Sequence, residues 1–295
     1  MRLHLSAVAL LLWLPACAGP QPAGIADGWK FAGKAIVTDA DSAVVVSGST
    51  IASQVGRDIL RAGGNAVDAA VAVGFALAVV HPEAGNIGGG GFLLYREAKG
   101  PVYALDYREM APSGASRDMY LDPDGDPTNL SVTGALAAAV PGSPAGLLEM
   151  HQRFGRLPFA QVIDPAIRLA NEGYVVDLYR RRSIGGEMSR LYLFPASRAQ
   201  FLPNDQPPVV GSTLVQRDLG KTLERIRDKG AAGFYTGTTA DLIVAEMERS
   251  GGLITHADLA NYKTFWRDPI VLTYRGDTVY SMPPASSGGT TMGMI

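Results

Sequence analysis

The sequence predicts a mixed fold, α/β or α+β, with buried helices layered on a sheet, and three observations carry that expectation. Residues 66–80, AVDAAVAVGFALAVV, are apolar on nearly every face, so a helix there has no side to turn to water and belongs between layers. Phe92 to Tyr95 and Val102 to Tyr107 are short apolar runs separated by a Lys99-Gly100 turn, the pattern of two strands. Between about 130 and 250 the pattern becomes helical instead, in LLEMHQRFG, FAQVIDPAIRLANEG, LGKTLERIRDKG and ADLIVAEMERSGG, with glycine and proline as punctuation.

In chain order, MRLHLSAVALLLWLPACAGP joins a positive start at Arg2 to an apolar run from Leu5 to Leu14 and then small residues. That is the form of a secretory signal over residues 1–18, too short to span a membrane. Two processing routes fit its end. Ala16-Cys17-Ala18 suits cleavage between small residues, whereas Leu14-Pro15-Ala16-Cys17 resembles a bacterial lipobox in which Cys17 becomes the lipidated first residue. Either route places the mature protein outside the cytoplasm, in a bacterial periplasm or lipid-anchored in the cell envelope. Residues 19–42, rich in Pro, Gly, Ala and Asp, read as a tether, and the folded part runs over 43–295 with no repeat and no later shift in composition.

Within it, Ala43 to Val46 is an apolar run, and Ser49 or Thr50 can cap a helix through IASQVGRDILRA that stops at Gly63-Gly64. Asn65 caps the next helix, with Asp68 three residues on in a capping-box position, and Thr255 with Asp258 makes a second box. A closing hairpin, Ile270 to Tyr274 and Thr278 to Met282 around Arg275-Gly276-Asp277, leads into Pro283-Pro284.

Composition excludes several functions. Hydrophobic residues at 47 %, charged residues at 18 % and 35 glycines in 295 describe a globular protein. A net charge of −2 gives no electrostatic footprint for nucleic acid. Cys17 is the only cysteine, which leaves no disulfide framework and no thiol nucleophile in the mature body. His81, His151 and His256 are far apart with no HExxH spacing, so neither a metal site nor a cofactor is expected.

Four stretches invite chemistry. Gly88 to Gly91 suggests a phosphate loop, but such loops run from a strand into a helix, whereas here the order is helix, loop, strand, with no lysine in the GK[ST] position. The glycines instead allow close backbone approach. Gly142-Ser143-Pro144-Ala145-Gly146 puts its serine one place early for GxSxG, and its proline suggests a turn. Thr290 and Thr291 look like nucleophiles, yet a cut before either leaves a peptide of six or five residues that cannot carry an oxyanion hole. Arg108 ends the strand VYALDY, in DYREMAP, where a rigid strand end lets a guanidinium meet a carboxylate in two parallel hydrogen bonds. Taken by itself, such a residue is more often an ordinary surface or structural ion pair.

Together, ASQVGRDILRAGGNAVDAAVAV, IGGGGFLLY, ALDYREMAP, RDMYLD, FGRLP, GFYTG, GGLITHADLANY and YSMPPASSGG resemble, in family order, the large-subunit half of the γ-glutamyltransferases, also called glutathione hydrolases. The resemblance covers almost everything from residue 43 onward. It implies an N-terminal-nucleophile hydrolase fold, a four-layer αββα sandwich, incomplete in this chain. It further implies a precursor that cuts itself into a large and a small subunit. The new N-terminal threonine of the small subunit attacks the γ-glutamyl carbonyl of glutathione and related compounds, with its amino group as base and backbone N–H groups holding the oxyanion. Water, an amino acid or a peptide then resolves the acyl-enzyme. Arg108 matches the family's arginine that grips the α-carboxylate of the γ-glutamyl group.

In that family PPxSSGG lies inside the large subunit, so Thr290 and Thr291 do not match the nucleophile and no catalytic residue is expected in this chain. Two other readings stand beside this one: an acylase of the cephalosporin or glutaryl type on the same fold, and a noncatalytic envelope lipoprotein that keeps the fold as a binding module. Residues 43–295 alone should leave strand edges and apolar faces uncovered. The 295-residue chain by itself is therefore expected to be poorly soluble and inactive; a monodisperse, cooperatively melting monomer, or turnover of a γ-glutamyl anilide, would count against this.

Overall fold

A computed structural model describes residues 39–295, and the larger of its two compact units is Val45–Ile295. The secretory signal, Cys17 and all but the last residues of the tether lie outside the described residues. The unit begins with α1 (Thr50–Arg61), α2 (Ala66–Val80), β1 (Phe92–Arg96), β2 (Val102–Asp106), α3 (Ser143–Phe154), α4 (Phe159–Glu172), β3 (Tyr174–Val175) and α5 (Leu178–Gly186). It continues through α6 (Met188–Leu191), α7 (Pro195–Phe201), β4 (Thr213–Leu214), α8 (Arg217–Lys229), α9 (Ala232–Tyr235), α10 (Gly237–Ser250) and α11 (His256–Ala260). Strands β5 (Phe265–Arg267), β6 (Ile270–Tyr274) and β7 (Asp277–Ser281) and helix α12 (Gly288–Gly293) complete it. All pairing is antiparallel: β1, β2 and β5 make one sheet in that order, and β3–β4 and β6–β7 are two-stranded.

Helix α2 is the hub, packed by α1, α3 and α4, with α8 behind α4. Its five valines are poor helix formers, each costing up to about 0.7 kcal/mol relative to alanine. Burying each side chain returns about 1.5–3 kcal/mol, so tertiary packing decides the conformation. Val71, Phe75 and Val79 have no exposed surface at all.

The one charge in α2, Asp68, is also fully buried. The expected capping box is present: Asn65 Oδ1 accepts from Val67 N and Asp68 N at 2.9 Å, and Asp68 Oδ2 accepts from Asn65 N at 2.9 Å. The carboxylate does more than cap. It accepts Arg156 N at 3.0 and 3.1 Å and Leu157 N at 3.3 and 3.4 Å, while Asn65 Nδ2 donates to Phe154 O at 2.6 Å. The box thereby fastens the start of α2 to the end of α3 and the turn into α4.

Several local expectations change in detail. At α1, Ser49 occupies the capping position but its hydroxyl makes no capping bond. Strand β2 stops at Asp106, one residue before the expected end. The closing hairpin needs only Arg275-Gly276 as its loop, because both take positive φ, 54° and 91°, the geometry whose twist matches that of the strands; β7 therefore starts at Asp277. Gly142-Ser143-Pro144 is no turn but the start of α3, where Pro144 needs no N–H partner. Helix α4 forms over the expected segment and continues through Pro165.

Strand β5 and helices α5 to α7 had no clear sequence signal, being short or amphipathic only weakly. The uncovered apolar faces expected of this chain are seen on β6 and α12, where Val271, Tyr274 and Met292 are exposed. Among the described residues no helix is long and apolar enough to cross a membrane.

Asp68→Ala strips the acceptor from the amides of Asn65, Arg156 and Leu157. At about 1–3 kcal/mol for each stranded donor, the loss should exceed about 3 kcal/mol. Urea unfolding should show a lower midpoint at an unchanged slope, and a midpoint matching the wild type would refute this role for the carboxylate.

Candidate functional site

The site is built where β2 ends. Tyr107 pairs in both directions with Gly91, N to O at 3.0 and 3.2 Å, so the four-glycine loop runs alongside the segment that carries Arg108. Gly89 O accepts Gly142 N at 2.7 Å and Ser143 N at 2.9 Å, which covers the amino end of α3. The Gly91 amide is therefore taken by Tyr107 O, and the Gly89 carbonyl occupies the amino end of α3, where an anion would otherwise sit.

Its glycines serve close approach instead. A Cβ on Gly90 would lie 2.5 Å from Tyr107 O and 2.8 Å from Arg108 Cα. A Cβ on Gly146 would enter the Tyr107 ring, and one on Gly142 would strike the Tyr107 carbonyl and the Tyr262 hydroxyl.

The main chain of Arg108 is held on both sides. Its N–H donates to Asp106 Oδ1 at 3.1 Å, and its carbonyl accepts the Tyr262 hydroxyl at 2.9 Å. Further along, Met110 and Val140 form a two-bond bridge at 3.2 and 2.8 Å, and Ser113 N donates to Asp258 Oδ1 at 2.8 Å. Asp258 thus closes the α11 capping box and anchors the loop with the same carboxylate.

The Arg108 side chain is left open. It is exposed, and among the described residues its one hydrogen-bond partner is Ala285 O, at a marginal 3.5 Å. No carboxylate among the described residues lies within 4.0 Å of it. The nearby Asp106 is committed elsewhere, with Oδ1 on the Arg108 backbone and Oδ2 accepting Arg267 Nε at 2.8 Å. Arg108 therefore forms no ordinary ion pair here. Most of its five N–H donors lack a protein acceptor, the state in which a guanidinium can take a carboxylate in a bidentate pair.

The tyrosines that hold it are fixed and protonated. Burial, with the charges of Asp106 and Glu109 added, pushes the Tyr262 hydroxyl well above its ordinary range, so it stays a donor to Arg108 O. The Tyr262 ring stacks on Tyr235, centroids 5.6 Å apart and planes 5° from parallel. Tyr235 donates to Pro141 O at 2.8 Å and accepts Ala145 N at 3.2 Å, and burial raises its hydroxyl too. Burial likewise raises Tyr107.

Among the described residues the remaining candidates make no hydrogen bond to this cluster. Thr290 and Thr291 are exposed inside α12, where Thr291 N donates to Ser287 O at 2.9 Å as an ordinary helical amide. His151 sits between Leu157 O, at 3.0 Å, and Asp68, and His256 pairs with Asp241 at 2.9 Å. Among the described residues no group of His, Cys, Asp and Glu is placed to hold a metal ion.

Sequence reasoning reached Arg108 and the glycine loop but missed Asp106, Tyr262 and the second role of Asp258. Tyr262 acts on a residue 154 positions away, and nothing local marks such a partner.

The family model described as gamma-glutamyltranspeptidase matches residues 52–295. The glutathione hydrolase proenzyme of Escherichia coli strain K12 is 49 % identical over 257 residues, covering 85 % of this chain and 43 % of that protein. The crystal structure of Helicobacter pylori γ-glutamyltranspeptidase matches with a TM-score of 0.85 at 44 % identity, covering 87 % of this chain and 74 % of that one. An acylase ACY 1 proenzyme from Pseudomonas sp. strain V22 is 40 % identical over 253 residues, 83 % of this chain and 45 % of that protein. This chain spans less than half the length of these curated relatives. The fold is the mixed helix-and-sheet arrangement of the N-terminal-nucleophile hydrolases, present in part. Since the family match runs from residue 52 to residue 295, the chain belongs to the γ-glutamyltranspeptidase family.

Proposed function

We propose that this chain supplies the carboxylate-binding part of an enzyme that transfers or hydrolyses γ-glutamyl groups of glutathione and related compounds. The observation that carries the proposal is Arg108: its backbone is bonded on both sides while its guanidinium is exposed and, among the described residues, has no carboxylate partner. In this reading the guanidinium fork grips the α-carboxylate of the γ-glutamyl group and so aims the γ-carbonyl at the nucleophile. That nucleophile is an N-terminal threonine from sequence outside this chain, on a small subunit released from the same precursor. Its α-amino group takes the hydroxyl proton, the oxygen adds to the γ-carbonyl, and the amine leaves with that proton. Water or an amino-acid or peptide acceptor then attacks the ester. The secretory signal read in residues 1–18 supports export, either by cleavage at Ala16-Cys17-Ala18 or with Cys17 as a lipid-anchor position.

The acylase relative supports a second reading. A glutaryl group keeps the carboxylate of a γ-glutamyl group and lacks its amino group, so Arg108 suits both substrates. Comparing γ-glutamyl and glutaryl anilides on the full-length protein separates them, and preference for the glutaryl compound would favour the acylase.

In the full-length enzyme, Arg108→Lys should lower kcat/KM for a γ-glutamyl anilide about 10- to 100-fold. A point charge loses the bidentate geometry, worth about 1.5–3 kcal/mol. Unchanged kinetics in Arg108→Ala would remove the assignment. Tyr262→Phe keeps the ring stack but releases Arg108 O, and should raise KM about 3- to 10-fold, as expected for one lost neutral hydrogen bond. A KM equal to the wild type would show that the clamp is dispensable.

A further inference from the structure

Asp106 carries a negative charge into the turn that presents Arg108. It is 5 % exposed, at the last position of β2, and its Oδ1 accepts Arg108 N at 3.1 Å, two residues on, as in an Asx-turn. The bond that sets the Arg108 backbone therefore holds a carboxylate where the Arg108 side chain leaves. A buried carboxylate stripped of its cation is strongly unfavourable. Among the described residues the one salt-bridge partner of Asp106 is Arg267, Nε to Oδ2 at 2.8 Å.

The sheet explains why Arg267 takes this place. Asp106 stands directly opposite Phe265, and Ala104 opposite Arg267, so their side chains share one face and Arg267 lies diagonal to Asp106, within reach of a long side chain. Its guanidinium also sits over the Phe265 ring, 5.5 Å from the centroid. Arg267 thus meets Asp106 from a paired strand, whereas Arg108 lies past the end of β2 with its side chain exposed. The other carboxylate next to Arg108 in sequence, Glu109, lies against the glycine loop, its Oε1 3.1 Å from where a Gly89 Cβ would be.

We propose that Arg267 is a positioning residue: by neutralising Asp106 it keeps that carboxylate from capturing the Arg108 guanidinium, and so leaves Arg108 open to the carboxylate of a substrate. To a guanidinium fork, the Asp106 carboxylate and an α-carboxylate are the same kind of ligand. Without Arg267 the intramolecular one has the advantage of proximity, and a substrate must displace it.

This role rests on the reading of Arg108 as the grip on the substrate carboxylate, and it touches binding without touching chemistry. Saturating substrate displaces Asp106 from Arg108, so loss of Arg267 raises KM and leaves kcat in place. A merely structural loss at the end of β2 would lower kcat as well, because it would misplace the bound substrate.

The test is made on the full-length protein. Arg267→Met should raise KM for a γ-glutamyl anilide about 3- to 10-fold, with kcat within about 2-fold of wild type. Asp106→Asn added to Arg267→Met removes the competing charge but keeps an acceptor for Arg108 N, and should return KM to within about 2-fold of wild type. If Arg267→Met does not fold, Arg267→Gln, which can still donate to Asp106 but carries no charge, takes its place with the same expected rise and rescue. A crystal structure of the single variant should show the Arg108 guanidinium bonded to Asp106 at about 2.7–2.9 Å. Arg108 turned to solvent in that crystal, a KM rise that Asp106→Asn leaves in place, or a loss confined to kcat would each overturn the proposal. An Arg108–Asp106 pair in the crystal with an unchanged KM would uphold the role of Arg267 and remove the γ-glutamyl reading of Arg108 instead.

Discussion

The buried carboxylate of Asp68 is the interaction on which the rest of this structure depends. Helix α2 is apolar on all sides, and a helix of that kind can slide or rotate among its neighbours with little change in buried area. Asp68 removes that freedom by accepting amides from its own cap and from Arg156 and Leu157 at once. Burial supplies the stability of the helix, and one satisfied charge supplies its register. A packed α2 then fixes α3, which crosses it and continues to β2.

That chain of contacts ends at the candidate site. The amino end of α3 presents Gly142 and Gly146 to Tyr107, and the absence of side chains there lets the ring and carbonyl of Tyr107 seat against the helix. With Tyr107 seated, the next residue has little choice of position, and Asp106 and Tyr262 take its remaining backbone groups. Glycine, tyrosine and aspartate thus divide the work: glycine permits close approach, tyrosine fills and donates, and aspartate absorbs both the Arg108 amide and the Arg267 guanidinium. An arginine whose backbone is settled this way loses less freedom on meeting a ligand than one on a mobile loop.

Much of this was legible in the sequence because it is local. The capping boxes at Asn65 and Thr255, the all-apolar α2, the strand pair around Lys99-Gly100 and the position of Arg108 all rest on residues within a few places of one another. What was not legible is long-range. The tie from Asp68 to Arg156, the pairing of β5 with β2 and the bond from Tyr262 to Arg108 each join segments 88 or more residues apart. The misreading of Pro144 as a turn has the same origin, since proline suits a turn and a first helical turn equally until the downstream helix is packed. Whether Arg108 was paired or free also depended on Arg267, a distant residue that claims Asp106.

The most direct measurement is a crystal structure of the full-length protein with L-glutamate bound. The account predicts the α-carboxylate in two parallel hydrogen bonds of about 2.7–2.9 Å from the Arg108 guanidinium, with the Tyr262 hydroxyl still on Arg108 O. A glutamate whose α-carboxylate is held by other groups, with Arg108 turned to solvent, would contradict it.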